Sequence, residues 1–208
     1  MRKFETFRGV AVAWLLPNID TDTISPMKRL ILNPDELDVY SFEPYRFVGG
    51  DGDSGLLDPE FPLNQQTYRN AKILIAGENF GCGSSRETAP EAIAKCGFRC
   101  IISSSFGGIF TKNCYQQGLL PLVFPKEMVL SFAEQSKDKG IFEVNLIKQC
   151  VVSPDGITHF FEIEESRRDM LLNGFDPVQR TLNGSAASFE QFLKRDRTAR
   201  PWLYTHEL

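Results

Sequence analysis

The stretch from Lys72 to Phe124, "KILIAGENFGCGSSRETAPEAIAKCGFRCIISSSFGGIFTKNCYQQGLLPLVF", decides the fold class. Within it "KILIAG" (72–77), "CIISS" (100–104) and "LLPLVF" (119–124) are short apolar runs that read as strands. Between them "TAPEAIAKCG" (88–97) and "GIFTKNCYQQG" (108–118) read as helices, each ending on a glycine. The order strand, helix, strand, helix, strand demands right-handed crossovers in a parallel sheet.

Upstream, "VAVAWLL" (10–16) reads as another buried strand, followed by the turn-forming, acidic loop "PNIDTDTISP" (17–26). From Lys28 to Tyr68 the text is irregular, and "GGDGDSGLLDPEFPLN" (49–64) is a long connection of the kind that is usually functional or mobile. Downstream, "KEMVLSFAEQSKDKG" (126–140) is an amphipathic helix. "FEVNLI", "QCVVSPDG" and "ITHFFEI" then read as strands joined by tight turns, with "SPDG" as a hairpin signal. The helices "ESRRDMLLNG" (165–174) and "SAASFEQFLKRD" (185–196) close the chain. The expected fold is α/β, a mixed sheet with a parallel core and added antiparallel strands. One domain spans 1–208, with an irregular region over 28–68 and a helical extension over 164–208.

Composition sets the bounds on function. A chain of 208 residues, 42% hydrophobic, is long enough to bury a core. Its net charge of −4 gives no electrostatic support to a nucleic acid or anionic membrane partner. The apolar run Val10–Leu16 is too short to span a bilayer and lacks a signal-cleavage site. Five cysteines at scattered spacings form no disulfide framework. A cytoplasmic protein is expected.

The loop "ENFGCGSSRE" (78–87) carries the chemistry. A strand-loop-helix unit puts such a loop at the carboxyl end of the sheet, beside the partly positive amino end of a helix, which favours an anion. Gly81 and Gly83 allow close approach, Ser84 and Ser85 bring hydroxyls, and Arg86 offers a planar fork that matches a carboxylate. Glu87 can cap or orient. The phosphate-loop and dinucleotide fingerprints are both absent, so a carboxylate ligand is favoured over phosphate. The competing reading is a plain helix cap with a solvated ion pair, which needs fewer small residues than are present.

In "NIDTDTI" (18–24), Asp20 and Asp22 alternate with Ile19 and Thr21, so an extended segment would turn both carboxylates the same way. That pair suits a hard cation or acid-base work, or else an Asx turn leaving the strand. "SSSFGGIFTKNCYQQGLLP" is a weaker signal that a tight helix start explains. Cys82, at a helix start, could be a nucleophile, but neither histidine, His159 nor His206, has a context that marks it as a base. Cys96 and Cys100 lack a second pair for zinc or an iron-sulfur cluster, so the chain is expected to bind no metal.

Together "NIDTDTISP", "GENFGCGSSRE", "SFGGIFTKNCYQQGLLP" and "RRDMLLNGFDPVQRTL" resemble the small subunits of 3-isopropylmalate dehydratases and, more distantly, the swivelling C-terminal domain of aconitases. The resemblance implies a β/β/α swivel domain that works with a separate large subunit, as a heterodimer or heterotetramer. That large subunit would carry a [4Fe-4S] cluster. The reaction implied is a hydro-lyase isomerisation of 2- and 3-isopropylmalate in leucine biosynthesis. By the same resemblance, Ser84 matches the catalytic base, and Asp22 the aspartate that pairs with a histidine of the large part. Gly83, Ser85 and Arg86 match the substrate-binding set.

Two stretches depart from the family pattern. The family reads G-S-S-R-E-H-A-P where this chain has "GSSRETAP", with Thr88 in place of histidine, and "SPMKRLI" also differs. A related 2-hydroxy diacid such as dimethylmalate or citramalate is therefore the alternative substrate. A non-catalytic dicarboxylate-binding module and a Cys82-dependent enzyme are rivals from other classes.

Overall fold

A computed structural model describes residues 2–175 and 177–204, with residues 138 and 177–187 described by backbone alone. The chain forms two compact units, Met1–Gly174 and Phe175–Leu208. In chain order the first holds β1 (Phe7–Trp14), α1 (Thr21–Ile24), α2 (Met27–Leu32), α3 (Glu43–Arg46), β2 (Ile73–Ala76) and α4 (Thr88–Lys95). It continues through β3 (Cys100–Ser103), α5 (Gly108–Gln116), β4 (Leu120–Val123) and α6 (Lys126–Gln135), then β5 (Ile141–Asn145), β6 (Cys150–Val152), β7 (Thr158–Phe160) and α7 (Glu165–Asn173). The second unit holds α8 (Pro177–Ala199), whose last turn is pinned where Tyr204 Oη donates to Asp196 Oδ2 at 2.7 Å. His206 lies outside the described residues.

The seven strands form one sheet in the order β4-β3-β2-β1-β5-β6-β7. β1 to β4 are parallel, and β5, β6 and β7 add antiparallel beyond β1, so the expected mixed sheet is present. Parallel strands covered on both faces need continuous apolar sequence, and β2 is buried at every position. Alternate residues feed two cores. Ile73, Ile75 and Ile102 pack with Val129 and Phe132 of α6 on one face; Leu74 and Ile101 pack with Ile93 of α4 and Phe110 of α5 on the other. "SPDG" makes the β6–β7 turn, with Gly156 at φ +83° and its N–H donating to the Ser153 carbonyl at 2.9 Å.

The 28–68 region is more ordered than its text suggests. Its helices α2 and α3 are six and four residues long, below the length at which hydrophobic spacing can reveal them. Trp14 anchors the region through edge-on contacts with Phe42 (5.3 Å), Tyr45 (5.1 Å) and Phe61 (5.1 Å). A buried ion cluster adds to this. Arg29 Nε donates to both carboxylate oxygens of Glu43 at 3.0 Å, Arg29 Nη1 reaches Asp53 at 2.6 Å, and Gly52 N–H donates to Glu43 at 2.9 Å. The guanidinium also lies 4.0 Å from the centre of the Tyr40 ring. Among the described residues, no helix is long and apolar enough to cross a membrane.

Candidate active site

Because β1, β2 and β3 run parallel, the segments that follow them emerge at one end of the sheet. Hydrogen bonds lace the three together. Gly81 N–H donates to Ile19 O (2.7 Å), Thr21 N–H to Cys82 O (2.9 Å), Phe80 N–H to Ser105 O (3.1 Å) and Gly107 N–H to Phe80 O (3.0 Å). The Thr21 hydroxyl donates to the Ser84 carbonyl at 3.0 Å. Gly81 sits at φ +71°, and a Cβ there would lie 2.2 Å from the Phe110 ring, so only glycine lets the loop pack down on α5. Gly83, at φ +93°, then turns the chain outward.

The result presents Ser84 and Ser85 to solvent. α4 begins at Thr88 and its cap position falls on Glu87, which makes no capping bond. Neither serine caps α4, so the plain-cap reading of the loop fails. The capping role offered for Glu87 fails with it. Ser84 Oγ has no hydrogen-bond partner among the described residues, which leaves it free for a ligand.

Arg86 turns back into the site. Its Nη1 donates to the Ser25 carbonyl at 2.9 Å, and its Nη2 is ion-paired with the Asp22 carboxylate. The arginine side chain is 12% exposed and the aspartate 53%, so the pair sits at the rim of an opening. Asp22 and Arg86, 64 positions apart in the numbering, are thus brought together (86 − 22 = 64). Asp20 is not part of that pair. Residues 21–24 form a helical turn rather than an extended segment, and Asp20 caps it by accepting from Thr23 N–H at 2.7 Å. The expectation that both carboxylates face one way is therefore corrected: capping consumes Asp20, and Asp22 alone faces Arg86.

Thr88, which stands where the family pattern has histidine, accepts a hydrogen bond from the buried Ser25 hydroxyl at 3.3 Å. Thr88 thus meets Ser25, whose carbonyl also accepts from Arg86. A cleft of about 560 Å³ opens beside Asp22, lined by Asp20, Thr23, Lys28, Glu43 and Asp51. Thr21 and Ser25 are site residues that sequence reasoning missed. Both lie inside the quoted "TDTISP", but only the fold reveals that they face the serine-arginine loop.

Among the described residues, no three His, Cys, Asp or Glu side chains are placed to hold a metal ion. Cys100 and Cys114 are buried, and desolvation pushes both thiols up, away from the thiolate form a cluster needs. Cys82 is half-buried in the loop, and His159 lies on β7, where it contacts Ser153 at 3.0 Å. The structure does not bring His159 to Cys82.

Comparison with known proteins gives consistent matches. Residues 1–127 match the aconitase C-terminal domain. The chain is 42% identical over 205 residues to the 3-isopropylmalate dehydratase small subunit of Rhodospirillum centenum, covering 97% of this chain and 98% of that one. It is 41% identical over 207 residues to the corresponding subunit of Jannaschia sp., covering 98% and 100%. The crystal structure of 3-isopropylmalate dehydratase from Methanocaldococcus jannaschii superposes with a TM-score of 0.64 at 28% identity, covering 90% of this chain and 99% of that one.

Proposed function

We infer the activity from one premise: the chain belongs to the family of 3-isopropylmalate dehydratase small subunits and carries the aconitase C-terminal domain. It is a hydro-lyase subunit that interconverts 2- and 3-isopropylmalate by removing water and adding it back, a step of leucine biosynthesis. The observation that carries this reading is the solvent-facing Ser84 hydroxyl, without a hydrogen-bond partner among the described residues, in a loop braced by Thr21 and followed by the Arg86 that pairs with Asp22.

The chemistry asked of these residues is specific. The C–H bond next to a carboxylate breaks and its proton passes to Ser84 Oγ. The electron pair forms the double bond as the C–O bond breaks, and the hydroxyl leaves as water after taking a proton. A serine oxygen accepts a proton only if its ionised form is stabilised. The Arg86 guanidinium and the amino end of α4 supply positive potential from this chain. Ser85 and Arg86 hold the substrate carboxylate, with Gly83 giving the backbone room to approach. Asp22 serves the acid side of the reaction through a residue of the large subunit.

The large subunit is the required partner, assembled as a heterodimer or heterotetramer. The large subunit would hold the [4Fe-4S] cluster, which would supply Lewis-acid chemistry at the substrate hydroxyl. We place the assembly in the cytoplasm, where free cysteines persist. The test is reconstitution: the chain mixed with a cluster-bearing large subunit should turn over 2-isopropylmalate, and neither chain alone should. Turnover of dimethylmalate or citramalate in preference to isopropylmalate would reassign the substrate, the alternative raised by Thr88 in place of the family's histidine.

A further inference from the structure

Two of the described non-glycine residues with positive φ are asparagines at matching places, each shortly after a parallel strand. Asn18 follows β1 at φ +58° and Asn79 follows β2 at φ +57°. A left-handed backbone is unfavourable for a residue with a Cβ, least so for asparagine, and it turns the chain sharply. Each turn here opens a loop of the site. Asn18 leads to Asp22, and Asn79 leads to Ser84 and Arg86.

The two turns are tied to one another. Asn79 Nδ2 donates to Asn18 Oδ1 at 2.8 Å, and Asn18 N–H donates to the Glu78 carbonyl at 2.8 Å. Asn79 N–H also donates to Ser105 Oγ at 2.8 Å, which adds the segment after β3. Beyond this clasp the two loops run side by side through a parallel bridge between Asp20 and Cys82. The bonds Gly81 N–H to Ile19 O and Thr21 N–H to Cys82 O belong to that bridge.

Glycine would take the same φ without strain; what asparagine adds is the amide, and here the two amides meet. A hydrogen bond in solvent contributes little to stability, but this one sits at the base of both loops. A change of direction there is carried to the residues farther along, and a misplacement of about 1 Å at a reacting group can cost about a hundredfold in rate.

We propose that Asn18 and Asn79 form a clasp that sets the Asp22 loop against the serine-arginine loop. Both are then positioning residues for the hydro-lyase reaction, acting through Asp22, Ser84 and Arg86. The inference rests on the roles proposed above for those three.

The test is a double-mutant cycle of Asn18→Gly, Asn79→Gly and the double variant, since glycine keeps the positive φ and deletes the amide. In the chain alone, hydrogen exchange of the Gly81 and Thr21 amides reports the bonds between the loops without reference to activity. Each single variant should exchange about fivefold faster, and the double well short of the product of the two, because the same bond is lost in all three. In the assembly with the large subunit, kcat for 2-isopropylmalate should fall about tenfold in each single variant, again without multiplying in the double, while KM stays within about twofold. A merely structural role would lower the urea midpoint and leave kcat unchanged wherever the variants remain folded. Unchanged exchange, unchanged kcat, or losses that multiply in the double variant overturn the proposal. A wild-type assembly without turnover would instead overturn the activity itself, and the exchange rates would then decide the clasp by themselves.

Discussion

The Asp22 carboxylate is ion-paired with Nη2 of Arg86, which joins the loop after β1 to the loop after β2. On the proposed function, this partnership would give the aspartate a second role on its own chain, that of orienting the Arg86 fork toward a substrate carboxylate.

Breaking that pair should affect catalysis more than folding. Because Asp22 is half in solvent, Asp22→Asn is expected to change stability by less than about 1 kcal/mol. Turnover of the reconstituted enzyme should fall at least about a hundredfold, the range for losing a group that moves or steers a proton. Arg86→Lys keeps the charge but loses the planar fork, and kcat/KM should fall with it. Steady-state kinetics beside urea titrations separate the two effects.

The buried Arg29–Glu43 pair makes the opposite prediction, a large effect on stability. Glu43→Gln leaves Arg29 buried with only the exposed Asp53 as counter-charge, and should cost about 3 kcal/mol. The hydrogen bonds from Arg29, and secondarily the Gly52 N–H, hold the Glu43 carboxyl below its ordinary range. A depressed carboxylate contributes stability that is fully present above its unfolded value of about 4.3 and is lost as pH falls through the lower folded value. The urea midpoint gap between wild type and Glu43→Gln should therefore hold from pH 7 down to about pH 5 and close below about pH 4.

Gly81→Ala tests the loop's seat on α5. With φ at +71° and a Cβ that would meet the Phe110 ring at 2.2 Å, the substitution should cost about 2 kcal/mol or more. A thermal melt unchanged from wild type would mean that the loop is free to shift.

Thr21→Val removes the hydroxyl that holds the Ser84 carbonyl while keeping the side chain's shape. Stability should drop by about 1 kcal/mol, since solvent can reach the freed carbonyl. A larger loss in kcat than in KM would show that Thr21 positions the loop for the reaction.

How much of this was legible in sequence depended on the length of each signal. The parallel core could be read because strands covered on both faces are continuous apolar runs, as "ILIA" and "CIIS" are. The serine-arginine loop could be read because its small residues exceed what a cap needs. α1 could not: four residues carry no periodicity, so Asp20 and Asp22 read as an extended pair until the turn separated them. The Arg29–Glu43–Asp53 cluster joins residues 14 and 24 apart through irregular text, and the Thr21 and Ser25 contacts span 63 positions. Contacts of that range belong to the tertiary fold, and no local pattern announces them.

The central claim is that Ser84 accepts the substrate proton. The direct measurement is turnover of 2-isopropylmalate by a Ser84→Ala chain assembled with its large subunit. Intact assembly with turnover reduced at least about a hundredfold is expected for the loss of a positioned base; turnover near that of the wild type would contradict it.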